Sequence, residues 1–338
     1  TGLVAGRYYL RCHGVNEFIY HRTNGQNTVF DLGPNDHLKN VDFFLAPFKK
    51  GRWENYNYLE HGLAHQDVQV IYQAKNGVMW FKTRGGISLF DGSKFTTIEI
   101  TGGSYHATGG IYEDEHGVIW FGTSKGGVFQ YVNNQIVNFL PDSEINQVEV
   151  FDIKKGHDNT IWLGTRNGLF QYKGRTLTRF TIEDGLAKND IQQILVDHSG
   201  KLWLCHDSRN IETGKGQGLT FFDGDRFHIF TTLDGLPSNI ITSACQGVSE
   251  DIWIGTYKGL VSYNGESFRT YTIKDGLVAN KIVSLLLDNA QHLWIGTSQG
   301  ISRFSNGSFV NYSHEDSNGL VGGTINCIYQ TIEGTMWF

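Results

Sequence analysis

The sequence predicts an all-β fold, a β-propeller of four-stranded antiparallel blades, and three observations support it. Tryptophan recurs at intervals of 40 to 50 residues along most of the chain. The same turn sequences recur with it, and glycine is frequent (42 residues) whereas proline is rare (4 residues). A lone four-stranded sheet of this size would leave an apolar face in water, so the units must stack around an axis.

Seven tryptophans define the repeat, and each stands in a short apolar run that ends in a turn, as in IWIGTYKGLVSYNGESF from Ile252. Burial of about 200 Å² per aromatic side chain, at about 25 cal/mol per Å², is worth on the order of 5 kcal/mol before entropy. We therefore expect these indoles to pack between blades and to have a structural role. They are Trp80, Trp120, Trp162, Trp203, Trp253, Trp294 and Trp337.

Each unit is expected to hold four strands, A to D. A recurring D-G-L element, as in LDGLPSNII from Leu233 and KDGLVANKI from Lys274, precedes strand A. Strand B carries the tryptophan, strand C runs to an Asn-Gly or Asp-Gly pair, and strand D returns. These pairs supply the positive φ angles that two-residue hairpins require.

The domain organisation follows from the extent of the repeat. Residues 40–338 are expected to form propeller repeats, with the last blade truncated at the C-terminus, and residues 1–39 a degenerate first blade with an N-terminal extension. Seven complete blades is the simplest count, and eight is the alternative. We expect the polypeptide to continue beyond Phe338, because GTMWF ends inside a repeat.

Charge and composition exclude several classes of protein. The net charge of -6 argues against a nucleic-acid binder, which needs a large cationic excess. Apolar runs are too short for a membrane-spanning helix. The four cysteines are far apart and form no C-x-x-C pair, which argues against zinc sites and favours free buried thiols. We expect no metal and no cofactor.

The units resemble the two-component regulator propeller family. Residues 181–204 and 231–256 follow its pattern D-G-L-x-x-N-x-(V/I), then D-x-x-G-x-(L/I)-W-(I/L)-G-T, and the resemblance extends over residues 40–338. It implies the extracytoplasmic sensor region of a bacterial hybrid histidine kinase, in the periplasm or outside the cell, that recognises polysaccharide breakdown products. Any signalling module or further propeller would lie beyond residue 338. A related branch is similar to streptogramin lyases, single-propeller enzymes that use His and Glu with a divalent metal.

The loops between strands B and C are expected to share one face with the D-to-A loops, around the mouth of the central channel. Most of them carry cations, and a ring of cations would attract an anion. The alternative is that lysine and arginine are ordinary at exposed turns, with acidic residues on the same face at Glu60, Asp184, Asp234 and Asp275. The cations are Arg84, Lys125, Arg166, Arg209 with Lys215, and Lys258.

Two segments depart from the repeat and add candidate residues. Tyr105 and His106 replace the D-G-L element of one loop, and His206 opens a long insertion after Trp203. The predicted ligand-binding set is Arg84, Tyr105, His106, Lys125, Arg166, His206, Arg209, Tyr257 and Lys258.

The leading hypothesis is a non-catalytic propeller that senses an oligosaccharide or another small or anionic ligand. One alternative is a lyase that acts on an acidic polysaccharide or a streptogramin-like substrate. Tyr105, His106 and His206 would then move the protons while Arg166 neutralises a uronate carboxylate. The other alternative is a scaffold that binds another protein.

Overall fold

The computed structural model describes residues 54–98, 107–206, 217–313 and 323–338, together with the backbone of five short strands nearer the N-terminus. These strands form two small sheets, in which β1 pairs with β4 and β2 pairs with both β3 and β5. They are β1 (Gly6–Arg7), β2 (Ile19–Thr23), β3 (Gln26–Thr28), β4 (Asp31–Leu32) and β5 (Phe44–Leu45).

Six four-stranded antiparallel sheets follow, each with its strands paired in chain order, which confirms the all-β propeller of four-stranded blades. The first two blades are β6 (Val68–Gln73), β7 (Met79–Thr83), β8 (Gly86–Phe90) and β9 (Phe95–Ile98), then β10 (Ala107–Glu113), β11 (Ile119–Thr123), β12 (Val128–Val132) and β13 (Gln135–Phe139). The third and fourth are β14 (Val150–Lys155), β15 (Ile161–Thr165), β16 (Gly168–Lys173) and β17 (Thr176–Phe180), then β18 (Ile191–Val196), β19 (Leu202–His206), β20 (Leu219–Phe222) and β21 (Phe227–Phe230). The fifth and sixth are β22 (Ile241–Gln246), β23 (Ile252–Thr256), β24 (Gly259–Tyr263) and β25 (Phe268–Tyr271), then β26 (Ile282–Leu287), β27 (Leu293–Thr297), β28 (Gly300–Ser305) and β29 (Ser308–Tyr312).

The expected seven blades, and the alternative of eight, are wrong, because the described part of the chain forms six four-stranded blades. The count from sequence included a unit near the N-terminus and an incomplete unit at the C-terminus. The N-terminal strands pair with one another in the two small sheets. The C-terminal unit is a two-stranded sheet of β30 (Tyr329–Gln330) and β31 (Met336–Trp337).

The two-stranded C-terminal sheet lies between the sixth and first blades and joins them. The Ile332 N–H donates to Gln73 Oε1 of the first blade at 2.7 Å, and the Asn289 N–H of the sixth blade donates to Gln330 Oε1 at 2.7 Å. The His198 N–H makes the same contact with Gln246 Oε1 between the fourth and fifth blades, also at 2.7 Å. The C-terminal sheet therefore continues the contacts between blades and closes the ring.

The repeated tryptophans lie in the cores between neighbouring blades. Trp203 of the fourth blade, for example, packs against Ile241 and Ile252 of the fifth. Its Nε1–H donates to Asp197 at 3.0 Å, so the one polar atom of the ring is satisfied. The tryptophans from Trp80 to Trp294 are at most 8% exposed, whereas Trp337, on the C-terminal sheet, is partly exposed.

The D-G-L loops are shaped by local hydrogen bonds. Thr272 caps a 3-10 turn over Ile273–Asp275, and the Asp275 carboxylate accepts from the Thr272 N–H at 2.8 Å and from its hydroxyl at 3.0 Å. Asn280 Oδ1 accepts from the Ile273 N–H at 2.8 Å, and Gly276 leaves the turn with φ of 111°. The loops at Asp184 and Asp234 repeat this arrangement. The sequence analysis counted these aspartates among the acidic charges of the ligand face. In the structure, their carboxylates stabilise the backbone of the loops.

Candidate ligand-binding face

The channel mouth is lined by two sets of residues that the fold brings together. Strand A is innermost, since the A strands of neighbouring blades contact each other. The residue before strand A accepts a backbone hydrogen bond from the first residue of the B-to-C loop in four blades, at 3.0 to 3.3 Å. We call these two sets the mouth belt. It consists of Asp67, Glu149, Asp190, Ile240 and Lys281 before strand A, and of Arg84, Ser124, Arg166, Tyr257 and Ser298 in the loops.

A buried threonine holds each of five B-to-C loops in one conformation. In the third blade, Thr165 Oγ1 donates to the Gly168 carbonyl at 2.7 Å and accepts from the Asn167 N–H at 3.1 Å. Gly168 has φ of 123°, and a Cβ there would meet the Phe180 carbonyl oxygen at 2.2 Å. This local geometry explains the repeated G-T-x-x-G sequence. The backbone is constant while the side chains after the threonine differ from blade to blade.

Arg166 is engaged by carboxylates of two blades. Its Nε–H donates to Glu149 Oε2 at 2.8 Å, Nη2 contacts the same oxygen, and Nη1 lies 3.5 Å from Asp190 Oδ2. The guanidinium also lies over the Phe151 ring, 5.3 Å from its centroid. Both carboxylates are largely buried, with 15% and 11% of their side-chain surfaces exposed. This part of the mouth belt therefore carries one positive and two negative charges.

Tyr257 and Lys281 form a different contact at the junction of the fifth and sixth blades. Lys281 Nζ lies 4.5 Å from the centroid of the Tyr257 ring. Lys281 is exposed and Tyr257 is half-buried. Lys258, the next residue of the same loop, is also exposed, and its N–H donates to Thr256 Oγ1 at 3.1 Å. Sequence reasoning named Tyr257 and Lys258 but missed Lys281, which belongs to a D-G-L loop.

The remaining predicted cations and aromatics are distributed as follows. Arg84 and Lys125 are exposed in the B-to-C loops of the first and second blades. Four residues named from the sequence lie outside the described residues, and their roles stay predictions. They are Tyr105, His106, Arg209 and Lys215.

His206 is inside the fourth blade. Only 5% of the residue is exposed, and its Nε2 lies 2.7 Å from Thr220 Oγ1. Burial lowers the pKa of the imidazole to about 4, because the charged form is poorly solvated there. His206 is therefore neutral at ordinary pH and is buried, whereas Arg166 is at the surface.

Lys82 is a buried lysine that the sequence analysis did not single out. Four of the other blades have glycine at its position, as in the W-I-G-T runs, and the K-T sequence after Trp80 is the signal that could have identified it. The side chain is fully buried, and desolvation lowers its pKa well below the ordinary value. Asp152 of the third blade is the charge that opposes this shift most strongly.

Neither a metal cluster nor a membrane helix is found in the part of the chain that the structure describes. Its His, Cys, Asp and Glu side chains form no group of three or more that could hold a metal ion. Its helices include none that is long and apolar enough to cross a membrane.

The ring of four-stranded blades and its mouth belt define the protein as a β-propeller. The family model described as two component regulator propeller matches residues 276–299, so the chain carries this repeat, as its D-G-L and W-I-G-T sequences predicted. The comparison with curated proteins gives no match.

Solved structures share the propeller fold. The extracellular domain of a hybrid two component system from B. thetaiotaomicron is 21% identical with a TM-score of 0.71, over 87% of this chain and 40% of that one. Catalytically inactive virginiamycin B lyase from Staphylococcus aureus is 13% identical with a TM-score of 0.60, over 75% of this chain and 87% of that one. PorZ of Porphyromonas gingivalis is 12% identical with a TM-score of 0.59, over 95% of this chain and 55% of that one. The chain thus spans less than half of the first of these domains.

Proposed function

We propose that this propeller is the sensing part of a two-component signalling protein, located outside the cytoplasm, and that it binds an oligosaccharide over the channel mouth. The mouth belt carries the proposal. Its framework of strands, threonine bonds and caps repeats from blade to blade, while its side chains differ in charge and shape. The likeness to an extracellular domain of a hybrid two component system supports the cellular context.

The chemistry of the mouth belt suits a sugar. Sugar hydroxyls both donate and accept hydrogen bonds, and the third and fourth blades offer both kinds of partner side by side. Gln192 Nε2 donates to Asp190 Oδ1 at 2.8 Å, next to the Arg166 cluster. Tyr257 in the belt and Tyr58, which precedes strand A of the first blade and is 45% exposed, offer rings on which a pyranose could pack.

Binding is favoured over the lyase predicted from the sequence by the state of the two lyase candidates that the structure describes, Arg166 and His206. A lyase needs an arginine that can neutralise the substrate carboxylate and an accessible group that can move a proton. Arg166 is paired with two carboxylates, and His206 is buried and neutral.

Calorimetric titration of the chain with a panel of neutral and uronic-acid oligosaccharides tests the proposal, with absorbance of unsaturated products followed in parallel. We expect a ligand that binds without being cleaved. Gln192→Ala should weaken binding of that ligand about fivefold, because a typical hydrogen bond contributes about 1 kcal/mol net.

Glu266→Gln is the matched control. Glu266 lies in the C-to-D hairpin of the fifth blade, between β24 and β25, and hence at the other end of the strands from the mouth belt. This variant should bind as the unmodified chain does. The absence of binding across the panel, or the appearance of unsaturated product, would contradict the proposal.

A further inference from the structure

We infer that the ligand carries an acidic group and that Lys281, beside Tyr257, is the residue that receives it, rather than the arginines of the B-to-C loops. This inference rests on the proposed function, because it assigns part of the same face. It concerns the junction of the fifth and sixth blades, which we call the Lys281 subsite and define by Tyr257, Lys258 and Lys281.

The position before strand A shows how unusual Lys281 is. This residue is described in five of the six blades, and in three of them it is acidic. In the fifth blade it is Ile240. Lys281 is the one cation among these five residues. The position that carries a carboxylate in three blades therefore carries an ammonium group in the sixth blade. The acidic residues are Asp67, Glu149 and Asp190.

The two cationic parts of the belt differ in what surrounds the charge. Arg166 contacts two largely buried carboxylates, so an approaching anion would meet a net negative charge there. Lys281 takes part in no ion pair within the described ranges, and its ammonium lies over the Tyr257 ring at 4.5 Å from the centroid. An aromatic face attracts a cation through its quadrupole but carries no net charge. The positive charge of Lys281 therefore remains available to a ligand.

The neighbours of Lys281 add to this asymmetry. Lys258 is exposed in the loop that carries Tyr257, and the adjacent belt residues Ile240 and Ser298 are uncharged. Asp275 belongs to the same D-G-L loop as Lys281, but its carboxylate accepts the Thr272 hydrogen bonds. The Lys281 subsite is thus positive where the Arg166 cluster is negative. An acidic ligand is oriented by this difference, with its anionic group toward the sixth blade.

The experiment compares uronic-acid oligosaccharides with their methyl esters, which keep the sugar rings and lose the negative charge. We expect the free acids to bind about tenfold more tightly than the esters to the unmodified chain at low salt, and the difference to shrink as salt is added. Lys281→Gln should remove this preference while leaving the affinity for the esters within about twofold. Lys281→Arg, which keeps the positive charge, should retain most of the preference for the free acids.

Two further variants separate this site from other sources of charge. Arg166→Gln should weaken acid and ester alike, so that the preference for the acid persists. Lys274→Gln removes an exposed lysine from the 3-10 turn of the same D-G-L loop, outside the mouth belt, and should leave both affinities unchanged. Melting temperatures of all variants show that each remains folded.

The outcomes distinguish the two proposals. If neutral sugars or esters bind as well as the acids, the face binds oligosaccharides but the acidic-ligand inference is overturned. The same holds if the acid preference is lost in Arg166→Gln and kept in Lys281→Gln. If no member of the panel binds, the proposed function itself fails, and the assignment of Lys281 fails with it.

Discussion

At the scale of single residues, His206 shows how burial sets the pH response of the fold. Its pKa in the folded protein is about 4, below the ordinary value of 6.5, because burial penalises the charged ring. Between these values the unfolded chain binds a proton that the folded chain does not, so stability falls as the pH falls from 6.5 toward 4. We expect His206 to account for at most about 3 kcal/mol of this loss.

Chemical denaturation across that pH range measures the effect. His206→Gln should flatten the decline, and His116→Gln, which changes an exposed histidine, should leave it unchanged. Equal pH slopes in His206→Gln and the unmodified chain would show that another group is responsible.

Asp152 interacts with groups of three blades. Its Oδ2 accepts from the Ile194 N–H of the fourth blade at 2.8 Å, and its Oδ1 accepts from Lys154 Nζ at 3.0 Å. Its negative charge also opposes the lowering of the pKa of Lys82 in the first blade. Asp152→Ala should lower the free energy of unfolding by about 3 kcal/mol, because it leaves the buried Ile194 N–H without its acceptor and removes the carboxylate whose charge acts most strongly on the buried Lys82.

Gln193→Ala is the matched control for this change. Gln193 occupies the equivalent position in the fourth blade and is uncharged. Its Oε1 accepts from the Ala244 N–H at 2.8 Å, and its Nε2 donates to the Ala244 carbonyl at 3.2 Å. Its loss should cost about 1 kcal/mol in urea unfolding. Equal losses for the two variants would mean that the charge of Asp152 has no special role.

At the scale of single elements, the D-G-L loop is a capped turn whose stability is local. Thr272→Ala removes the hydroxyl that accepts from the Lys274 N–H and donates to Asp275. We expect a loss of about 1 kcal/mol, which corresponds to roughly 1–2 °C in melting temperature for a chain of this length. Lys274→Ala, at an exposed site of the same turn, should leave the melting temperature unchanged, and an equal decrease in both variants would refute the capping role.

At the scale of the whole molecule, the ring is closed by a sheet from the C-terminus. Trp337 contacts Tyr56 and Phe81, at centroid distances of 5.6 and 5.1 Å. Trp337→Ala should therefore lower the free energy of unfolding by about 2–4 kcal/mol and open the ring first at this junction.

Limited proteolysis followed by mass spectrometry would locate the opening. Early cleavage is expected near residues 323–338 in Trp337→Ala. Trp253→Ala removes an indole between the fifth and sixth blades and should destabilise the chain without that early C-terminal cleavage. A uniform cleavage pattern in both variants would argue against a weak junction.

Much of the fold could be predicted because its signals are local. The turn at Asp275 and the strand around Trp253 recur with fixed spacing, and hydrophobic alternation assigns their faces. The number of blades could not be predicted in this way. Strand signals near the N-terminus do not reveal that β2 pairs with β3 and β5 in a small sheet.

The surroundings of the candidate site residues could not be predicted, for an electrostatic reason. Arg166 was named correctly as a residue of the B-to-C loops, but its partners Glu149 and Asp190 come from two different D-to-A loops. Lys281 was missed because the recurring signal in its loop is the aspartate of D-G-L, Asp275. The residue before strand A does not recur, so the sequence pattern does not point to it. Lys82 did carry a signal, since it replaces a repeated glycine.

The sequence by itself determined the repeat, the four strands of each unit and the chemistry of the turns, because these depend on neighbours within about forty residues. Only the tertiary structure decided which charges at the mouth are neutralised, that His206 is buried, and how the first and sixth blades are joined. Those properties depend on distances of a few ångströms between separate blades, and chain closure brings together residues as far apart in sequence as Gln73 and Ile332.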